Sequence, residues 1–349
     1  MSRETAEFGF ELRTCRWAER EWPPDRTDSD DAVLVARQLG TGRRRWDTIV
    51  LECDREALGR RANFGPTRLD SDLLHVVANA PSEWRYYRDA LPHPGYPWRY
   101  VREAIHQAAD RGILRRRKRG NRIEIRRRWP YPDWVTRIVA IENKPDLDAS
   151  AARALAGQLE YDVAMALADE VWVATKQTDE AVEPVLLEDL PIEAGVLTLD
   201  TDRLTGDVEW FPRTLAVEDP GTRILERPTG TDGRDASAAR FEYADPEGKA
   251  QKRLEIAERA YERGWRSFVD TMRPDCRHFE GHARDGTHIR PYCRAHGRCQ
   301  TAAECGGSCP EFEPEPPIWR TNGWPLEGGP GGSVRRLLER RRRRRRPDL

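Results

Sequence analysis

Residues 135–144 read VTRIVAIENK. The apolar run Ile138–Ile141 predicts a buried strand over Val135–Asn143. The run closes on Glu142 and Lys144, two positions apart, so a strand would turn both to one face. Charge at the end of a buried strand is costly unless it is paired or used. Working outward, Trp46–Cys53 (WDTIVLEC) predicts a second buried strand, with Asp47 near its start, and residues 32–39 (AVLVARQL) a third. Gly40-Thr41-Gly42 is a turn between them. Residues 3–22 (RETAEFGFELRTCRWAEREW) predict an amphipathic helix stopped by Pro23-Pro24. On the other side, Ala149–Leu167 predicts a helix and Glu170–Thr175 (EVWVAT) a strand. Leu186–Leu187, Gly195–Leu199 and Val208–Phe211 are shorter strand candidates.

Residues 66–130 differ in character and read as an insertion. Leu69–Ala80, Ser82–Leu91 and Pro97–Arg111 are three helical patterns, the first capped by Ser71 and the third with Pro in its first turn. Two alternating segments, Ile113–Arg119 and Arg122–Arg128, flank Gly120-Asn121, the signature of a tight hairpin. Three helices and a hairpin are the order of a winged helix-turn-helix domain. The hairpin carries Arg115, Arg116, Arg117, Lys118, Arg119, Arg122, Arg126, Arg127 and Arg128. So many cations on one short element repel each other without an anionic partner. Nucleic-acid phosphates are the expected one, bound in a salt-dependent and mostly sequence-independent way.

The formal net charge of the 349-residue chain is −1, but it is a sum of unlike parts. Residues 115–128 carry +8 and residues 335–349 carry +7, leaving −16 for the rest. An acidic body with two basic stretches points to a polyanionic partner. Mean hydropathy is −0.82, and no apolar run approaches the ~20 residues of a membrane span. No apolar segment follows Met1-Ser2-Arg3-Glu4, so no secretory signal and a cytoplasmic location are expected. Only five lysines (118, 144, 176, 249, 252) stand against 54 arginines. A surviving lysine is then a candidate for chemistry that arginine cannot do.

With residues 66–130 set aside, the order is helix, strand, strand, strand, helix, strand. Asp47 lies on the second strand, and Glu142-Asn143-Lys144 ends the third. This arrangement resembles the PD-(D/E)XK nuclease superfamily over residues 3–65 and 133–215. The resemblance implies an α/β fold of restriction-endonuclease-like type, a mixed sheet flanked by helices. It implies metal-dependent hydrolysis of DNA phosphodiesters, with Asp47 and Glu142 holding Mg²⁺ or Mn²⁺. Lys144 would orient water and offset developing charge. A glutamate of the first helix often completes the metal shell, with Glu11 the first candidate and Glu7 and Glu4 one and two turns away. Gln158, on the following helix, would contact phosphate or the scissile strand. This chain departs from the pattern in the long insertion between the Asp47 and Glu142 strands.

The expected domains are 1–65 with 131–215 (core), 66–130 (winged-helix-like insertion), 216–244 (linker), 245–312 (a charged helix over Pro246–Met272 plus a Cys/His module) and 313–349 (a disordered Arg-rich tail). Five of seven cysteines (276, 293, 299, 305, 309) and four of seven histidines (278, 282, 288, 296) crowd the module. In a reducing compartment this reads as metal binding. Cys276, Cys293, Cys305 and Cys309 are the expected ligands of a structural Zn²⁺, with Cys299, His278 or His296 as substitutes. Some nucleases resembling the superfamily carry a [4Fe–4S] cluster instead, in which Cys15 would supply the first ligand. The expected function is Mg²⁺-dependent cleavage of duplex DNA positioned by the insertion, with a dimer among the open oligomeric states. The alternative is a catalytically inactive DNA-binding regulator or scaffold with a zinc-stapled interaction module.

Overall fold

The computed structural model describes residues 3–24, 31–41, 44–65, 67–178, 188–201, 203–226, 240–265, 278–284, 288–299 and 310–311. The chain begins with α1 (Arg3–Glu21), β1 (Ala32–Gly40), β2 (Arg45–Cys53) and α2 (Arg55–Arg61). The insertion holds α3 (Ser71–Asn79), β3 (Arg85–Tyr86), α4 (Tyr87–Ala90), α5 (Trp98–Asp110), β4 (Leu114–Arg119) and β5 (Arg122–Arg127). Then come β6 (Val135–Asn143), α6 (Ala149–Met165), β7 (Glu170–Lys176), β8 (Gly195–Asp200) and β9 (Thr205–Trp210). A pair of strands, β10 (Gly221–Glu226) and β11 (Arg240–Ala244), leads to α7 (Pro246–Arg263). Strands β12 (Phe279–Arg284), β13 (His288–Cys293) and β14 (Arg298–Cys299) follow.

Six strands form one mixed sheet in the order β1-β2-β6-β7-β8-β9. β2 runs antiparallel to both of its neighbours, β1 and β6; β6, β7 and β8 are parallel, and β9 returns antiparallel at the edge. The long apolar runs of β2 and β6 are explained by burial on both faces. On one face α1 lays Phe10, Leu12, Cys15 and Trp17 against Val35, Val50, Val139 and Ile141. On the other, Leu34, Ile49, Leu51 and Ile138 pack with Ile256, Ala257, Ala260 and Tyr261 of α7. α6 packs Leu155 and Leu159 against Val171, Val173 and Val196 beside it. The result is a helix–sheet–helix sandwich. Among the described residues no helix is long and apolar enough to cross a membrane.

Several boundaries differ from the sequence reading. Asp70, not Ser71, caps α3: its side chain accepts the Leu73 N–H at 3.0 Å. Ser71 instead donates to Glu255 at 2.6 Å. The helix expected over Ser82–Leu91 shrinks to the single turn of α4, because Arg85 and Tyr86 pair with β5. Pairing across the sheet outweighs local helix preference here. The expected linker 216–244 contains the β10–β11 pair. The helix expected to run to Met272 ends at Arg263, with Gly264 following at φ 61°. It was expected to stand with the Cys/His module, but its buried face belongs to the core. The tail 313–349 and residues Leu186–Leu187 lie outside the described residues.

One ion pair ties the insertion to this core. Arg61, at the end of α2, and Glu258, in the middle of α7, pair through two N–H groups, and both side chains are 0% exposed. Arg61 also donates to the carbonyls of Gly65 (3.0 Å) and Thr67 (3.2 Å), where the insertion begins. Glu258 accepts the Leu69 N–H at 2.8 Å and the Tyr131 hydroxyl at 2.7 Å. Tyr131, where the insertion ends, accepts in turn from the Trp134 indole at 2.8 Å. Both ends of the insertion thus converge on one charge pair. Glu258→Ala leaves a buried guanidinium without its counter-ion and should cost about 3–5 kcal/mol in chemical denaturation. Arg60→Ala, which breaks the exposed Glu56 pair one residue away, should cost less than about 1 kcal/mol in the same measurement.

Candidate functional site

β2 and β6 lie side by side, with Thr48 opposite Ile141, so the next rung sets Asp47 opposite Glu142. Directly opposed residues of an antiparallel pair share a face. The structure therefore brings together the two carboxylates that the sequence separates by the whole insertion. Asp47 Oδ2 accepts the Asn143 backbone N–H at 3.0 Å, and Asp47 Oδ1 accepts the Gln38 amide at 3.1 Å. Glu142 is nearly fully buried. Its Oε2 accepts the Gln158 amide of α6 at 2.9 Å, so Gln158 joins the site through Glu142. Glu11 approaches from α1 without reaching either carboxylate. The Gln38 amide bridges it (2.8 Å) to Asp47, and Arg37 takes both of its oxygens at 2.9 and 2.6 Å. Lys144 follows the last residue of β6, and its N–H donates to the Ala174 carbonyl at 2.8 Å. Its side chain is half-buried, and its ammonium makes no hydrogen bond or ion pair among the described residues.

Two residues at the centre of the site were absent from the sequence reading. Arg44, in the β1–β2 connection, donates to Glu142 Oε1 at 2.5 Å and to Asp162 of α6 at 2.7 Å. Thr41 fixes this connection: its N–H donates to the Arg44 carbonyl at 2.6 Å, and its hydroxyl accepts the Arg44 N–H at 3.1 Å. Gly40 is needed beside it, since a Cβ there would lie 2.1 Å from the Arg44 carbonyl oxygen. A signal for Asp162 did exist. It follows Gln158 by four residues, so both sit on one side of α6. Nothing in the run Arg43-Arg44-Arg45 marks which arginine turns inward. Asn143, between Glu142 and Lys144, turns to the other face and donates to Thr48 at 3.0 Å.

The electrostatics follow from this crowding. Burial first, and then the neighbouring Asp47 charge, push Glu142 up to about 8; Arg44 pulls it partly back. Burial likewise raises Asp162, against the opposing pull of Arg44. Among the described residues, each oxygen of Asp47 and Glu142 accepts one hydrogen bond and keeps acceptor capacity. These are hard oxygen donors in a place where two like charges repel, which suits Mg²⁺ or Mn²⁺. No group of three His, Cys, Asp or Glu side chains able to hold a metal is found among the described residues. A cation here would therefore rest on two carboxylates plus substrate or water oxygens, a pattern usual for Mg²⁺.

Other expected site residues fall elsewhere. Cys15 is fully buried under β2, its sulfur 3.4 Å from the Thr48 hydroxyl. Burial raises its thiol far above the ordinary range, so it packs as a small apolar side chain. Cys293 is buried at the end of β13, His278 is half-buried and His296 is exposed. Cys276, Cys305, Cys309 and the side chain of Cys299 lie outside the described residues. All nine cations of the hairpin are on β4 and β5 or immediately after them, and Arg115 to Arg119, Arg122 and Arg128 are exposed.

Residues 34–314 match the model of a family of unknown function, DUF5787. No curated protein and no solved structure matches the chain.

A buried acid raised above its unfolded value binds a proton more readily when folded. Its contribution to stability is complete below about pH 4.5 and is lost as pH rises toward about 8. Wild type should therefore lose up to about 1.4 kcal/mol per pH unit across this window from Glu142. Glu142→Gln should flatten that slope in denaturation curves collected from pH 5 to 8. An unchanged slope would mean that Glu142 titrates normally.

Proposed function

This chain belongs to the DUF5787 family, and we propose that it is a metal-dependent nuclease that hydrolyses phosphodiester bonds of DNA. The observation that carries the proposal is the opposition of Asp47 and Glu142 on adjacent antiparallel strands, with Gln158 bound to Glu142 and Lys144 at the strand end. The element order supports the same reading. With the insertion left out, the order is α1, β1, β2, the short α2, β6, α6 and β7, which is the order that the resemblance to PD-(D/E)XK nucleases implies with one short helix added.

Asp47 and Glu142 would hold Mg²⁺ or Mn²⁺, which supplies Lewis acidity and an activated water. The chain's own groups do the rest. Gln158 and Arg44 orient the Glu142 carboxyl through its two oxygens, and Gln38 and the Asn143 N–H orient Asp47. The Lys144 ammonium, with no protein counter-ion among the described residues, is available to a phosphate oxygen or to water. The basic hairpin adds a polyanion-binding surface on the same chain.

One observation favours a second reading. Arg44 already bridges Glu142 and Asp162, as a permanent counter-ion would in a non-catalytic DNA-binding scaffold. The test is incubation of the purified full chain with Mg²⁺ or Mn²⁺ and plasmid, linear, single-stranded and branched DNA. Wild type should cleave. Lys144→Ala and Glu142→Gln should each slow cleavage by at least about a hundredfold while DNA binding persists. No cleavage by wild type, or equal cleavage by Lys144→Ala, would overturn the nuclease and favour the scaffold.

A further inference from the structure

The hairpin that closes the insertion sorts its charges by face. On one side β4 and β5 pair Leu114 with Arg127, Arg116 with Ile125 and Lys118 with Ile123. On the other they pair Arg115 with Arg126, Arg117 with Glu124 and Arg119 with Arg122. Leu114 and Ile125 belong to the apolar cluster that includes Val101, Ile105 and Ala108 of α5. The first side is therefore turned toward α5 and the second away from it. The outward side carries five guanidiniums against the single carboxylate of Glu124.

β3 extends this side with aromatic rings. Tyr86 lies opposite Glu124, and Trp84 precedes it by two residues on the same face. Arg117 sits over the Trp84 ring at 4.4 Å, Arg126 over the same ring at 5.3 Å, and Arg122 over Tyr86 at 5.2 Å. Stacking engages the flat face of a guanidinium and leaves its N–H edge to oxygen acceptors; the Arg117 edge is held at 2.7 Å by Glu124, the one acid of this side. It also removes part of the rotamer freedom that an arginine would lose on binding. The outward face is thus a set of pre-ordered cations, on a chain whose remainder outside the two basic stretches is strongly acidic.

We propose that the outward face of the β3-β5-β4 sheet, rather than its α5 side, grips the phosphate backbone of duplex DNA, with Trp84 and Tyr86 as posts that hold the guanidiniums in place. The identity of the polyanion rests on the nuclease reading; the choice of face rests on the register and the ring contacts. Charge complementarity selects the phosphates. Duplex is favoured over single strand because arginines already occupy the Trp84 ring, and single-strand binding uses open rings for base stacking.

The test measures binding of the full chain to labelled duplex and single-stranded DNA over a salt series, with chelator present so that no cleavage occurs. Two double variants remove equal charge from alternate faces of β4. Arg115→Ala with Arg117→Ala should weaken duplex binding by about tenfold or more and lower the log–log salt slope by about two. Arg116→Ala with Lys118→Ala should change affinity by less than about threefold and leave the slope within about one of wild type. Trp84→Leu should weaken binding with little change in slope, and Trp84→Phe, which keeps a ring, should restore it. Equal losses from both double variants would overturn the assignment of face, as would no loss from either. Wild type that binds no DNA, or prefers single strands through Trp84, would overturn it as well. Cleavage without face dependence removes this proposal alone. Face-dependent binding without cleavage removes the nuclease reading alone.

Discussion

Arg61 and Glu258 meet where water is absent, and most of the chain is arranged around that meeting. A buried ion pair is a poor source of net stability, because removing two charges from water costs about what their attraction returns. Its effect here is geometric. The same two side chains bind the segment that leaves the core at Gly65–Leu69, the segment that returns at Tyr131, and the middle of α7. A long insertion can interrupt a sheet only if its ends are held close together. With the ends held, β6 can pair beside β2, and Asp47 meets Glu142 across them.

The carboxylate site shows a second use of arginine. Arg44 reaches from the β1–β2 connection to two acids on different elements, Glu142 on β6 and Asp162 on α6. It offsets only part of the repulsion at Glu142, which stays well above an ordinary carboxyl in its affinity for protons. The proposed Mg²⁺ or Mn²⁺ would sit against this under-compensated pair. Arginine also shapes the insertion, where two aromatic rings and the single acid Glu124 hold the guanidiniums of the outer face. The scarcity of lysine sharpens the contrast. Lys249 is buried against the carbonyls of Ala216 and Asp219, whereas Lys144 is left unengaged among the described residues.

Much of this was legible from residue order. The strands containing Asp47 and Glu142 announce themselves as apolar runs, and Gly120-Asn121 marks the hairpin turn at Arg119 and Arg122. Gln158 was nameable too, though its partner was not. Elements whose state depends on a distant surface were misjudged. Ser82–Leu91 has helical composition, yet Arg85 and Tyr86 extend because β5 offers them a ladder. α7 looks charged and detachable in sequence, yet Ile256, Ala257, Ala260 and Tyr261 form a narrow stripe that closes one face of the sheet.

Residue order alone carries the local periods: which segments are strands, where the basic hairpin turns, and that Glu142 and Lys144 end a buried run. Those properties follow from nearest neighbours along the chain. The pairings between charges far apart in sequence emerge only when the chain is folded. Arg61 with Glu258, Arg44 with Glu142 and Asp162, and Asp47 opposite Glu142 each join segments with no local signal of the other. A chain dense in arginine and acid offers many formally equivalent pairs, and burial selects among them, because only the pairs that lose water must be satisfied.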